Sequence, residues 1–202
     1  MIQNGLKVLP QENNPLDNIL LDAFVIPLNP YFKKMNFHPN HLTLLSFLFG
    51  IIGAYLVYQS KFLWAALFLF FGYLFDCFDG NYARTYNQVS KFGDFLDHFT
   101  DIIQFALLWI AIYFNKDLSK TNKKVFYIVT AILAILMCVD LGCKEAIYNK
   151  NESETLAMFK SLCIGDPSKT IHFIKYFSTA TLYFVIIFFM FYFELKKQNN
   201  IL

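Results

Sequence analysis

Five long apolar runs dictate what this chain can fold into. They cover residues 41–58, 62–78, 95–114, 125–141 and 173–193. Each approaches the roughly 20 residues that a helix needs to cross the hydrocarbon core of a bilayer. A backbone in hydrocarbon must satisfy its own hydrogen bonds, so runs of this length read as spanning helices. Composition agrees: 56% of residues are hydrophobic, 25 are Phe, and only 16% are charged. That balance excludes a disordered chain and favours an integral membrane protein. The predicted fold is therefore all-α, a polytopic membrane helical bundle with five clear spans. It forms a single domain over residues 1–202, with its transmembrane core at 41–193. Leu156 to Ile164 (LAMFKSLCI) is a candidate for a short sixth membrane element, too short to cross alone.

Ahead of the first span, Leu16, Ile19, Leu20, Ala23 and Phe24 recur at helical spacing, with Asp17, Asn18 and Asp22 elsewhere. This predicts an amphipathic helix over residues 16–26 lying on the membrane surface, ended by Pro27 and Pro30. Lys33 and Lys34 would then meet lipid headgroups. The net charge of +2 gives no footing for nucleic-acid binding. The four cysteines form no CxxC pair, so no disulfide framework is expected, and Cys77 and Cys138 read as small core residues. Residues 1–18 are polar and lack the pattern of a cleavable signal peptide. No HExxH, Ser-His-Asp or GxSxG pattern occurs, which removes metalloprotease and serine hydrolase readings. Lysines flank more than one end of the spans, so they leave the orientation undecided.

The chemistry concentrates in residues 76–101, DCFDGNYARTYNQVSKFGDFLDHFTD, where apolar runs meet a short polar loop. Asp76 and Asp79 are three apart, and Asp97 and Asp101 are four apart, so each pair shares a helix face. An antiparallel hairpin brings the pairs together. Bare carboxylates that close repel one another, and a divalent cation is the economical way to hold them ionised near lipid. Hard oxygen donors suit Mg²⁺ or Mn²⁺, and two cations on shared carboxylates suit phosphoryl chemistry. Gly80 and Gly93 allow close approach of a ligand to the backbone. Arg84, one turn past Gly80, is a forked cation suited to phosphate. The bland alternative is a set of loop charges capping two helices. One or two acids would fit it, but not four in this pattern with both glycines and the arginine.

This stretch resembles the signature of the CDP-alcohol phosphotransferase family, D-x2-D-G-x2-A-R-x8-G-x3-D-x3-D. Asp76, Asp79, Gly80, Ala83, Arg84, Gly93, Asp97 and Asp101 fill every fixed position. The motif covers about an eighth of the chain, and the hydrophobic layout extends the resemblance to about two thirds. The resemblance implies transfer of a substituted phosphate from a CDP-linked donor to an alcohol or diacylglycerol acceptor, with release of CMP. It implies two Mg²⁺ or Mn²⁺ ions per site, with Asp76 and Asp97 touching both, Asp79 the first and Asp101 the second. Asp101 would also take the proton of the incoming hydroxyl. Gly80 and Arg84 would hold the nucleotide and its phosphates, Ser90 would add a contact, and Gly93 would admit the cytidine. Pro39, Asn40 and Thr43, at the start of the first span, would border the CDP site, although helix capping alone accounts for that turn. The resemblance also implies a homodimer and a site facing the cytosol, in the endoplasmic reticulum if the source is eukaryotic.

Some features leave alternatives open. The family usually has six spans, and here the polar stretch 142–170 stands where more membrane would be expected. Asp97-His98 resembles the Asp-His of choline and ethanolamine members, whereas Asn87, Gln88, Ser90, Phe92 and Gly93 resemble inositol members. Ile102 follows the last Asp where members using a phosphorylated alcohol often carry Lys or Arg. His98 reads either as structural or as a substrate contact, and His38, His41 and His172 read as interfacial. Asp140 reads as interfacial, with a lesser chance of lining the site. The competing classes are a cation or proton transporter using intramembrane carboxylates and a membrane scaffold. Neither needs Gly80, Ala83, Arg84 and Gly93 together, and neither releases CMP.

Overall fold

Each apolar run becomes one helix, because only internal hydrogen bonds can satisfy its backbone away from water. The computed structural model describes residues 5–148 and 156–199. The chain enters through α1 (Pro15–Leu20), a π turn at Leu21–Val25, and α2 (Ile26–Lys34). The long helices follow: α3 (Pro39–Tyr58), α4 (Phe62–Thr85), α5 (Lys91–Phe114) and α6 (Lys120–Tyr148). A seven-residue 3-10 helix at Leu156–Leu162 and α7 (Pro167–Ile174) lead to α8 (Thr179–Gln198). Among the described residues, five segments are long and apolar enough to cross a membrane: α3, α4, α5, α6 and the stretch Pro167–Gln198.

α3 and α4 form a tight hairpin, with α5 packed on α3 and α8 on α4. Gly50 makes the α3–α5 contact: a Cβ there would fall 1.8 Å from Gln104 Oε1, so the side chain of α5 lies directly on the α3 backbone. Away from the carboxylates, Val57, Phe62, Ile112, Phe126, Ile186 and Phe193 close one buried cluster. Asn115 pins the turns at that end, its Nδ2 donating to the Val57 carbonyl at 2.6 Å and to Ser60 Oγ at 2.9 Å. A second cluster, around Leu42, Tyr73, Phe78 and Tyr82, underlies the carboxylates. Leu44, Leu48, Trp64, Ile110, Ile128 and Ile135 remain exposed, a belt that only hydrocarbon can cover at low cost.

Several boundaries differ from expectation. The N-terminal helix does not stop at Pro27 and Pro30 but runs to Lys34. The π turn widens the coil just before Pro27, which sits in the first turn of α2, where a missing N–H is tolerated. Its face is also partly claimed by the bundle. Leu20 and Val25 are buried against α4, and Asn29 Nδ2 donates to Asn81 Oδ1 at 2.7 Å, while Ile19, Phe24 and Tyr31 stay exposed. α4 continues helical through Asp76, Asp79 and Arg84, so the polar loop shrinks to residues 86–90.

α6 also outlasts its apolar run, to Tyr148, because its charges are paired inside the fold. Lys144 Nζ lies 2.8 Å from Asp140 Oδ2, and Lys7 Nζ lies 2.5 Å from Glu145 Oε1. Asp140 is thus fully buried rather than interfacial. Cys143 and Cys163 form a disulfide, against the expectation of none; a separation of 20 residues carries no local signal. The candidate sixth element is the 3-10 helix at Leu156–Leu162, which does not span. It lies against α6 so closely that a Cβ on Gly142 would fall 2.1 Å from the Phe159 carbonyl oxygen.

Candidate active site

The carboxylates arrive by helix geometry alone. Asp76 and Asp79 lie on the last turns of α4, and Asp97 and Asp101 lie about two and three turns into α5. A five-residue link reverses the chain between them, and Ser90 starts α5 by accepting from the Gly93 amide at 3.0 Å. One oxygen each from Asp76, Asp79 and Asp97 lies within 4.8 Å of the other two, and one atom each from Asp97, His98 and Asp101 does likewise. The two triads share Asp97. Thr43 Oγ1 reaches across from α3 to donate to Asp79 Oδ2 at 2.6 Å. His98 Nδ1 lies 3.2 Å from Asp97 Oδ2, and its Nε2 lies 3.8 Å from Asp94 Oδ1.

These groups front a cavity of about 730 Å³. All twelve residues singled out in the sequence line it: Pro39, Asn40, Thr43, Asp76, Asp79, Gly80, Ala83, Arg84, Ser90, Gly93, Asp97 and Asp101. Pro39 and Asn40 stand at the first turn of α3, and Asn40 Oδ1 would lie 3.3 Å from a Cβ on Gly93. The space beside Gly80 is taken by Arg84 itself: its guanidinium nitrogens would lie 3.2 and 3.3 Å from a Cβ there. Arg84 Nε donates to the Gly5 carbonyl at 2.7 Å, so the N-terminal arm holds this side chain beside the cavity.

Other lining residues escaped the sequence reading. Lys7 comes from the N-terminal arm, Gln88 and Asp94 from around the link, and Thr179 and Tyr183 from α8. Tyr183 stacks on Tyr73 at 4.7 Å between centroids, and the Tyr73 hydroxyl donates to Asp17 of α1. Lys7, Thr179 and Tyr183 lie far from the motif in sequence, and no spacing rule reaches them. Gln88 and Asp94 lie inside the quoted stretch, where Gln88 resembles inositol members without being given a role and Asp94 offers only its polarity. Asp140, by contrast, does not line the cavity.

The family model described as CDP-alcohol phosphatidyltransferase matches residues 36–197. The chain belongs to that family. Among curated proteins, it is 30% identical over 106 residues to archaetidylinositol phosphate synthase of Pyrococcus horikoshii, covering 52% of each chain. It is 36% identical over 73 residues to CDP-diacylglycerol–serine O-phosphatidyltransferase of Bacillus subtilis, covering 36% of this chain and 41% of the other. It is 37% identical over 82 residues to a bifunctional IPC transferase and DIPP synthase of Aquifex aeolicus, covering 40% of this chain and 19% of the other. The matched stretches thus span about half the length of these relatives, or less. No solved structure matches the chain.

The residues present fit a divalent cation, as the family implies. Asp76, Asp79 and Asp97 gather hard oxygens within one ligand's reach, and Asp97 and Asp101 do so beside a His98 nitrogen. Asp97 Oδ1 is buried and finds no hydrogen-bond partner, the state of an acceptor left for a cation.

Proposed function

We propose that the chain is a metal-dependent transferase of phospholipid synthesis. It moves a substituted phosphate from a CDP-linked donor to an alcohol and releases CMP. The observation that supports this most is the meeting of Asp76, Asp79, Asp97 and Asp101 at one cavity, with every other signature residue on the same walls. The relatives' names add the reaction class, since each is a synthase or transferase of this kind.

The four carboxylates would hold two Mg²⁺ or Mn²⁺ ions, with Asp97 shared between the two triads. When bound, the cations supply charge neutralisation for the diphosphate and the departing CMP. Arg84, positioned by the Gly5 carbonyl, offers forked donors to the diphosphate. Asn40, Ser90 and Gly93 meet at the start of α3 and α5 and form the cytidine side. Thr43 fixes the Asp79 carboxylate in place by donating to one of its oxygens. Asp101 is the base. It accepts the hydroxyl proton, the alcohol oxygen bonds to the β-phosphorus, and the P–O bond to CMP breaks with its electron pair leaving on CMP.

The test is CMP release by purified protein in lipid, with a panel of CDP donors and alcohols. CMP should appear, cease in EDTA, and return with Mg²⁺ or Mn²⁺. Full activity in chelator would sink the metal assignment, and no CMP from any pair would sink the reaction. The proposal extends to a homodimer with its cavity open to the cytosol. Mass photometry reads the first. Thiol labelling of N87C from one side of sealed vesicles reads the second.

A further inference from the structure

α8 meets the cavity along one face. Thr179, Leu182 and Tyr183 are three and four residues apart, so they point the same way, and all three line the cavity. The first turn of α8 is tied down from outside. Asp17 of α1 accepts from Ser178 Oγ at 3.2 Å through one oxygen and from the Tyr73 hydroxyl through the other. Tyr73 is buried, and its ring lies nearly parallel to that of Tyr183, with 17° between the planes. The two tyrosines therefore spend their hydroxyls differently. That of Tyr73 is committed to Asp17. That of Tyr183 has no hydrogen-bond partner among the described residues, although stacking holds its ring in place. The packing uses the ring and leaves the oxygen to the cavity.

The height of that oxygen matters. Thr85 and Lys91 are the helix ends that the five-residue link joins. At roughly 1.5 Å per residue, Tyr73 lies about 18 Å along α4 from its end, and Asp101 about 15 Å along α5 from its start. Tyr183, stacked on Tyr73, is thus nearly level with Asp101. Among the carboxylates, Asp101 also acts on Tyr183 most strongly by charge, ahead of Asp76 and Asp97. Little else at this level can donate a hydrogen bond. Ile102, Phe105 and Ala106, which follow Asp101 on the cavity wall, are apolar, and ionised Asp76 and Asp97 can only accept.

An alcohol oxygen carries one proton and two lone pairs. In the proposed reaction the proton goes to Asp101 and one lone pair goes to phosphorus. The other lone pair is left to accept. We infer that Tyr183 is a further substrate-contacting residue of this reaction, and that its hydroxyl donates to the oxygen of the acceptor alcohol beside Asp101. Tyr183 keeps its own proton throughout. Its donation fixes the direction in which the alcohol presents its proton to Asp101 and its lone pair to phosphorus. The inference rests on the proposed function, adds one contact to it, and holds for any alcohol.

The experiment uses the full chain in phosphatidylglycerol nanodiscs with Mg²⁺. CDP-diacylglycerol is paired with serine or inositol, CDP-choline is paired with dioleoylglycerol, and the pair that gives wild-type CMP fastest is kept. Y183F preserves the ring and its stack and removes only the hydroxyl. Its kcat/KM for the alcohol should fall at least about tenfold. Its metal-dependent affinity for CDP, read by calorimetry, and its melting temperature should match wild type. Y73F keeps both rings and loses only the tie to Asp17, so it should cost less than Y183F. Wild-type kcat/KM in Y183F, an equal loss of CDP affinity, or a larger loss in Y73F each overturns the inference and leaves the proposed function standing. Silence of the wild type with every pair overturns both. Nitration by tetranitromethane, followed by mass spectrometry, tests the wild-type protein without a variant. The alcohol should protect Tyr183 and CDP alone should not. Protection by CDP alone, or none by the alcohol, overturns the contact.

Discussion

Two polar regions interrupt this apolar chain, and they treat charge in opposite ways. In the α4–α5 hairpin, Asp76, Asp79, Asp97 and Asp101 have one another, the Thr43 hydroxyl and His98 for neighbours. At the end of α6, Asp140 meets Lys144 and Glu145 meets Lys7, each inside the fold. Both sets contain carboxylates, but the first is left facing a cavity and the second is paired with lysines. Carboxylates that fold without counter-ions need a ligand to balance them, whereas paired ones hold helices in place. The hairpin should therefore govern turnover, and the α6 end should govern stability.

The largest effect expected is from D76N, which keeps one oxygen but loses the charge. CMP release should fall by more than about 10⁴-fold and metal-dependent CDP binding should vanish, with the melting temperature in detergent little changed. Near wild-type turnover would remove the hairpin from the chemistry. D101N should lose about 10²–10⁴-fold in turnover yet still bind CDP in a metal-dependent way, because three carboxylates remain. Calorimetry beside CMP release separates the two variants; loss of CDP binding in D101N would make it a ligand alone. K144A leaves Asp140 buried and unpaired, and should cost about 3–5 kcal/mol of stability. The surviving folded fraction should keep wild-type KM for the CDP donor. A K144A protein that melts normally but turns over poorly would erase the contrast. The smallest effect belongs to C143S, about 3 kcal/mol for a loop of this length, read as a lower melting temperature that reductant produces equally in the wild type.

The same contrast explains what could be read in advance. The carboxylate hairpin was legible because its residues are close in sequence and each has a chemical reason for its spacing. Thr43 was legible too, as part of the Pro-Asn turn that opens α3. The five spans followed from run length. The ends of α4 and α6 did not, because the residues past the apolar runs, up to Thr85 and Tyr148, look like loop in composition and stay helical through tertiary contacts. Pro27 misled for a related reason: a π turn upstream lets the coil pass through it. Lys7 reaches the cavity through its ion pair with Glu145 of α6, and Tyr183 because α8 packs on α4. The Cys143–Cys163 pair likewise depends on how closely the 3-10 helix lies on α6.

That disulfide also changes how the molecule comes apart. It joins positions separated by 20 residues, so the backbone between them forms a closed ring. A peptide bond cut once anywhere inside the ring yields two polypeptides, one ending within it and one beginning there. They would run as a single band on a denaturing gel until a thiol reductant is added, and then separate into two.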